Sequence, residues 1–245
     1  MAKKIRKTTK KFSSKVILFI AMLIILGVCL IGVNLFINMK EERLLTSEIS
    51  SINKLLNKQK FDEKQMNKKL NTYVTNGEYQ TIEKAYKNYL KDNQKTVDEI
   101  KEYFKNDKVS SLLTIDNIKK DGKEFKTSLE TIKKSREQLT NLKNKFNQQA
   151  DEKYVMKYLD KKDLSDYYIT FYKNQIARNI TESKGEKELK KQIDINLELI
   201  NKVEKVINYL VKNSKYWNAD GNVIYFETDE LTNKYNKLLK DIQKS

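Results

Sequence analysis

Eighteen consecutive residues, Val16 to Val33, carry no charge and no strongly polar side chain. Asn34 interrupts them, and Leu35, Phe36 and Ile37 carry the run on toward Met39. At helical rise, residues 16–39 reach about 36 Å, enough to cross a hydrocarbon core of about 30 Å. The run therefore predicts a transmembrane helix over 16–39, with the lipid bilayer as an integral partner.

Lys3, Lys4, Arg6, Lys7, Lys10, Lys11 and Lys15 precede the run with no acidic residue among them, while Lys40-Glu41-Glu42-Arg43 after it is neutral overall. Basic flanks stay on the cytoplasmic side. The expected organisation is a basic cytoplasmic tail over 1–15, the span over 16–39, and an extracytoplasmic domain over 40–245 at the cell membrane. The tail sets topology and has a second role in attracting anionic lipid headgroups.

Two other readings compete for the run. A cleaved signal peptide has a shorter apolar core and a small-residue cleavage site, neither of which is present. Leu26-Gly27-Val28-Cys29 resembles a lipobox. However, Val28 stands where a small residue is expected, and the apolar stretch continues after Cys29. An uncleaved anchor is the preferred reading, with Cys29 as a small apolar residue of the membrane helix.

The rest of the chain is polar, rich in Lys, Glu, Asn, Leu and Ile, and free of proline, with six glycines in all. That composition favours helices. From Met39 to Tyr73 the residues Leu45, Ile49, Ile52, Leu56, Met66, Leu70 and Tyr73 follow helical spacing, which predicts that the membrane helix runs on as one long amphipathic helix. Thr75-Asn76-Gly77 reads as its stop. Thr81 is expected to cap a second helix with the stripe Ile82, Tyr86, Tyr89, Val97, Ile100 and Phe104. A short helix over Ser110 to Lys120 and a turn at Asp121-Gly122 follow. A third long helix carries Phe125, Leu129, Ile132, Leu139, Leu142 and Phe146.

A tyrosine-rich stretch runs from Tyr154 to Tyr172, and a polar turn is expected around Gly185. The stripe Leu189, Ile193, Leu197, Ile200, Val203, Ile207 and Leu210 is the most regular in the chain. Aromatic and β-branched residues then flank Asp220-Gly221, the signal of a β-hairpin over about 215–227. Thr228 caps a last helix bearing Leu231, Tyr235, Leu238 and Ile242. The expected fold is all-α: a membrane helix continuing into an elongated antiparallel bundle, with one small C-terminal hairpin.

Chemistry is sparse. The chain has no histidine and one cysteine, which removes the usual general base and the ordinary zinc, haem and iron–sulfur ligand sets. Carboxylate pairs such as Glu41 and Glu42, or Asp229 and Glu230, are what solvated helix faces carry. The glycines are too scattered for a phosphate loop. Asp160 to Asp166 lacks the glycine and terminal glutamate of a calcium loop. No catalytic residue, metal or cofactor is expected.

The net charge of +16 invites a nucleic-acid reading, yet seven of those charges lie in the tail and only four residues in the chain are arginine. A lysine excess without arginine is poor equipment for reading phosphate or guanine, so no nucleic-acid partner is expected.

The tyrosine-rich stretch is either core packing or an exposed aromatic platform. The hairpin has two readings as well. Trp217, Ile224 and Phe226 can plug the end of the bundle. Alternatively Tyr216, Trp217, Asp220, Gly221, Tyr225 and Phe226 form a contact surface, since a lone tryptophan beside tyrosines is the profile of an interface hot spot.

These features point to a non-enzymatic binding or scaffold component of a bacterial cell envelope, with a protein partner or a second copy at the cell surface. A sensory input module is the alternative. Residues 1–75 resemble in layout the N-terminus of bacterial chemoreceptors and sensor kinases: a short basic tail, one span, and a helix continuing into an outer bundle. That resemblance implies signalling. No second apolar run occurs before Ser245, so a membrane partner would have to carry the signal.

Overall fold

The computed structural model describes residues 37–57, 62–179 and 184–243. The basic tail, and all of the expected membrane span but its last three residues, lie outside them. Among the described residues no helix is long and apolar enough to cross a membrane.

What is described is mostly helical, with one two-stranded antiparallel hairpin near the C-terminus. The first helix, α1, covers residues 37–56. The single helix expected from Met39 to Tyr73 is in fact two, α1 and α2 (Glu63–Leu70). At the edges of the interval between them, Asn57 and Asp62 spend their side chains on the backbone. Asn57 turns its amide onto the Asn53 carbonyl at 2.9 Å, and Asp62 caps α2 by accepting from the Gln65 N–H at 2.9 Å.

Helix α3 (Gly77–Lys105) begins four residues before the expected Thr81 cap. Gly77 takes a φ of +58°, where a side chain would be strained, and this lets the extended segment before it turn into the helix. The Asn76 N–H, one of the orphan donors at that helix start, is satisfied by Glu41 Oε2 of α1 at 2.7 Å. Contacts of Glu42 with Tyr79 and of Glu48 with Lys87 advance together along both helices. Thus α1 and α3 run parallel, with α2 returning between them, a departure from the expected antiparallel order.

Beyond α3, Asp107 accepts from the Val109 and Ser110 N–H groups and holds a turn where the short helix was expected to start. Helix α4 is accordingly only Ile115–Asp121. Helix α5 (Lys126–Gln149) follows. Asp121 accepts from the Thr127 and Ser128 N–H groups at 3.0 and 2.8 Å and so caps α5 from a distance. Burial raises the Asp121 carboxyl, but these hydrogen bonds outweigh it and hold the group below its ordinary value.

The tyrosine-rich stretch is broken into α6 (Glu152–Met156), α7 (Asp166–Phe171), a π-helical turn over Tyr172–Ile176 and a 3₁₀ turn over Ala177–Asn179. Helix α8 (Lys184–Lys212) contains Gly185 in its first turn rather than in the expected loop. Strands β1 (Trp217–Asp220) and β2 (Val223–Phe226) lead to α9 (Asp229–Gln243), where Thr228 Oγ1 accepts from the Leu231 N–H at 3.4 Å. Helices α3, α5 and α8 alternate in direction: Asp92 and Tyr103 meet Gln149 and Ser135 in turn, and Arg136 and Lys143 meet Glu204 and Asp194, while Tyr209 of α8 donates to the Leu231 carbonyl of α9.

The apolar residues form two cores. The lower one gathers Leu45 and Ile52 of α1, Met66 and Leu70 of α2, Tyr79, Ile82 and Tyr86 of α3, and Val155 and Tyr172. The upper one gathers Ile100 of α3, Ile132, Leu139 and Phe146 of α5, Ile193, Ile200 and Ile207 of α8, Trp217, and Tyr235 of α9. Helix α3, about 43 Å long at 1.5 Å per residue, belongs to both. Between the cores lies a polar belt. Asp92 accepts from the Tyr154 and Tyr158 hydroxyls at 2.6 Å each, and Gln149 bonds Asp92 and the buried Thr96.

Candidate functional site

The hairpin stands at the end of the upper core. Residues 217–220 and 223–226 pair Trp217 with Phe226, Asn218 with Tyr225, Ala219 with Ile224, and Asp220 with Val223. The two-residue turn is Gly221-Asn222, one step later than an Asp-Gly turn. Gly221 has a φ of +52°, the arrangement of a II′ turn, and Asp220 Oδ1 accepts its N–H at 2.8 Å.

Strand alternation sends the hairpin residues to two faces. Trp217, Ala219, Ile224 and Phe226 point toward the bundle. Trp217 is buried, packs on Phe125 at 6.0 Å between ring centres, and donates its indole N–H to the Leu210 carbonyl at 2.8 Å. Phe226 rests on Tyr209 and Tyr235. Phe125 is itself wholly buried, with a φ of 51° that is unusual for any residue but glycine. Lys123 lies over the Trp217 ring at 3.4 Å and donates to the Trp217 carbonyl, and partial burial lowers its ammonium from the ordinary value. Lys119 donates to the Gly221 carbonyl at 2.8 Å, so α4 clamps β1 from the side.

The other face is open. Tyr216, in the 3₁₀ turn Ser214–Tyr216, and Val223 and Tyr225 of β2 keep 50, 50 and 58 % of their surface exposed. Asp220 and Asn218 are exposed beside them. The structure thus divides the six candidate contact residues. Tyr216, Asp220, Gly221 and Tyr225 are on the outer surface, Phe226 is half-buried, and Trp217 is a core residue. The membrane-topology lysines and arginine, Lys3 to Lys15, lie outside the described residues.

A second cluster had no signal in the sequence beyond the helical spacing of Glu83 and Lys87. Lys87, wholly buried, bonds Glu83 Oε1 at 2.6 Å, Glu48 Oε1 at 2.8 Å and the Thr72 carbonyl at 2.7 Å. Those three acceptors use all three ammonium protons. Lys69 bonds the other Glu48 oxygen at 2.7 Å. Glu83 Oε2 accepts from the Thr75 hydroxyl and the Thr75 and Val74 N–H groups. Burial raises the Glu48 carboxyl, but Lys69 and Lys87 outweigh it and the group sits below its ordinary value. Through Lys69, Lys87, Glu48 and Glu83 this cluster joins α1, α2 and α3.

The tyrosine-rich stretch packs rather than displays. Tyr168 and Tyr172 are buried, Tyr154 and Tyr158 bond Asp92, and Tyr167 is the exposed member. Among the described residues no group of histidine, cysteine, aspartate and glutamate is arranged to hold a metal ion. No family model, no curated protein and no solved structure matches the chain.

Proposed function

We propose that this chain is a single-pass, membrane-anchored protein whose extracytoplasmic helical domain holds a protein partner through the outer face of its hairpin, without catalysis. It acts as a binding or scaffold component of a bacterial cell envelope.

One observation carries this reading. The described residues begin with α1 at Ile37, in the last part of the apolar run, and the open hairpin face lies at the other end of them. From Gly77 to Asn93, which bonds Glu186 of α8 at 3.3 Å, α3 rises about 24 Å. From Glu186, α8 rises about 39 Å more before the hairpin. A surface of tyrosine and valine held some 60 Å from the chain's entry point suits contact with a partner away from the bilayer.

The test uses intact cells. In a Cys29→Ser background, Lys240→Cys is expected to react with a membrane-impermeant maleimide added outside; reaction only after lysis overturns the topology. A photo-crosslinking amino acid at Tyr225 is expected to trap one discrete protein that the same group at Lys133, exposed on the shaft, does not. Equal trapping at both positions removes the hairpin as the contact surface.

A further inference from the structure

The lower end of the domain carries its own exposed apolar group, drawn from parts of the chain far apart in sequence. Tyr167 of α7 keeps 57 % of its surface exposed, and Ile37 and Met39, among the first described residues of α1 and the last of the expected span, keep 47 and 56 %. The Tyr168 hydroxyl donates to Asn38 Oδ1 at 3.4 Å, and the Tyr79 and Tyr167 hydroxyls donate to Glu42 Oε2 at 3.1 and 3.5 Å. Tyr79, Tyr167, Tyr168 and Phe171 are in mutual ring contact there, at centre distances of 5.1 to 6.4 Å. The first described residues of α1 and the starts of α3 and α7 therefore form one face, pinned at Glu41 and Glu42, and Tyr167 stands on it beside residue 37.

Four residue-to-residue steps, across Asn34, Leu35 and Phe36, separate Val33, the last of the uninterrupted apolar run, from Ile37. Fully extended they span about 14 Å, and as helix about 6 Å. In either case the end face cannot be far from the edge of the hydrocarbon. Tyrosine is the residue type that settles at that boundary, with its ring in the apolar margin and its hydroxyl in water. The charges around it are mixed: Lys40 and Arg43 stand with Glu78 and Asp166, all exposed. The contact is therefore aromatic in character and does not require anionic lipid.

We propose that this end face is seated in the lipid–water interface, with Tyr167 inserted among the headgroups beside Ile37 and Met39. The proposal rests on the anchor reading above and adds that the domain's base lies on the bilayer instead of standing clear of it on a tether.

The full chain with Cys29→Ser is reconstituted into phosphatidylcholine vesicles, with and without phosphatidylglycerol. A nitrobenzoxadiazole probe is placed at Ser165→Cys or, for comparison, at Asp220→Cys. Ser165 is exposed, precedes α7 and makes no side-chain cap, so its replacement leaves Tyr167 in place. Quenching by lipids spin-labelled near the headgroup is expected to be severalfold stronger at 165 than at 220 in both mixtures, and to fall when Tyr167→Ser is added. Vesicles that float with the protein while both probes are equally unquenched overturn the seat and leave the anchor standing. Quenching at 165 only with phosphatidylglycerol overturns it in favour of a charge-driven contact. Protein that fails to float with the vesicles overturns anchor and seat together.

Discussion

Lys87 and Glu83, four residues apart on α3, meet at 2.6 Å with both side chains wholly removed from solvent. Most i,i+4 pairs lie on the surface and contribute a few tenths of a kcal/mol. This one joins α3 to α1 and to the segment that follows α2, because Lys87 also binds Glu48 and the Thr72 carbonyl. Lys87→Met leaves Glu83 buried without its counter-charge and Glu48 with Lys69 alone, and is expected to cost about 3–5 kcal/mol. Urea unfolding measures it. Adding Glu83→Gln is expected to recover part of the loss, because one stranded charge is removed.

Acid should weaken the fold through the same cluster and through the polar belt. The Tyr154 and Tyr158 hydroxyls, followed by Gln149, outweigh burial and hold Asp92 below its ordinary 3.8, and Glu48 is held below 4.5. Groups depressed in the folded state stabilise it at pH above their unfolded values. That stabilisation is lost as pH falls through those values toward the folded ones. Thermal unfolding is therefore expected at a constant temperature down to about pH 5 and at falling temperature below it. Asp92→Asn should flatten the acid limb.

Trp217 answers to stability. It fills the upper core against Phe125 and satisfies the Leu210 carbonyl. Trp217→Ala is expected to cost about 3–5 kcal/mol in urea unfolding. Loss of partner binding in that variant therefore says nothing about contact.

Tyr216→Ala and Tyr225→Ala are the variants that separate binding from folding. Both side chains are about half exposed or more, so the stability of each variant is expected within about 0.5 kcal/mol of the parent. Crosslinking in cells from a photo-reactive group at Val223 is expected to fall at least tenfold in the double variant.

The break between α1 and α2 also has a measurable origin. Asp62→Ala removes the cap on the Gln65 N–H and is expected to cost about 1 kcal/mol, read from the urea midpoint.

Helical periodicity made the long elements legible, because Ile193, Ile200 and Ile207 recur on one face whatever that face meets. The hairpin was legible from Asp220-Gly221 and its β-branched flank. The breaks were less so. Asn57, Asp62 and Asp107 act by bonding backbone groups two to four residues away, a choice that periodicity does not record. The start of α3 depends on Glu41, 35 positions earlier, and the Lys87 cluster on Glu48, 39 positions earlier. Partners so distant exist only once the helices are placed. Trp217 drew attention as a hot-spot residue type, but its burial is decided by Phe125 and α8, which the local sequence does not contain.

Helix α3 passes without interruption from the lower core into the upper one, and its cap residue, Asn76, donates its N–H to the carboxylate of Glu41. A push or twist applied at the distal tyrosines is therefore handed on lengthwise, from α8 through α5 to a single unbroken rod, and arrives at the beginning of α1. To bend along α3, the described residues must slide rows of side chains past one another, because that helix is continuous from Gly77 to Lys105. Under the proposed function, a partner held at the tip is thereby kept at a set distance from residue 37, where the described residues begin.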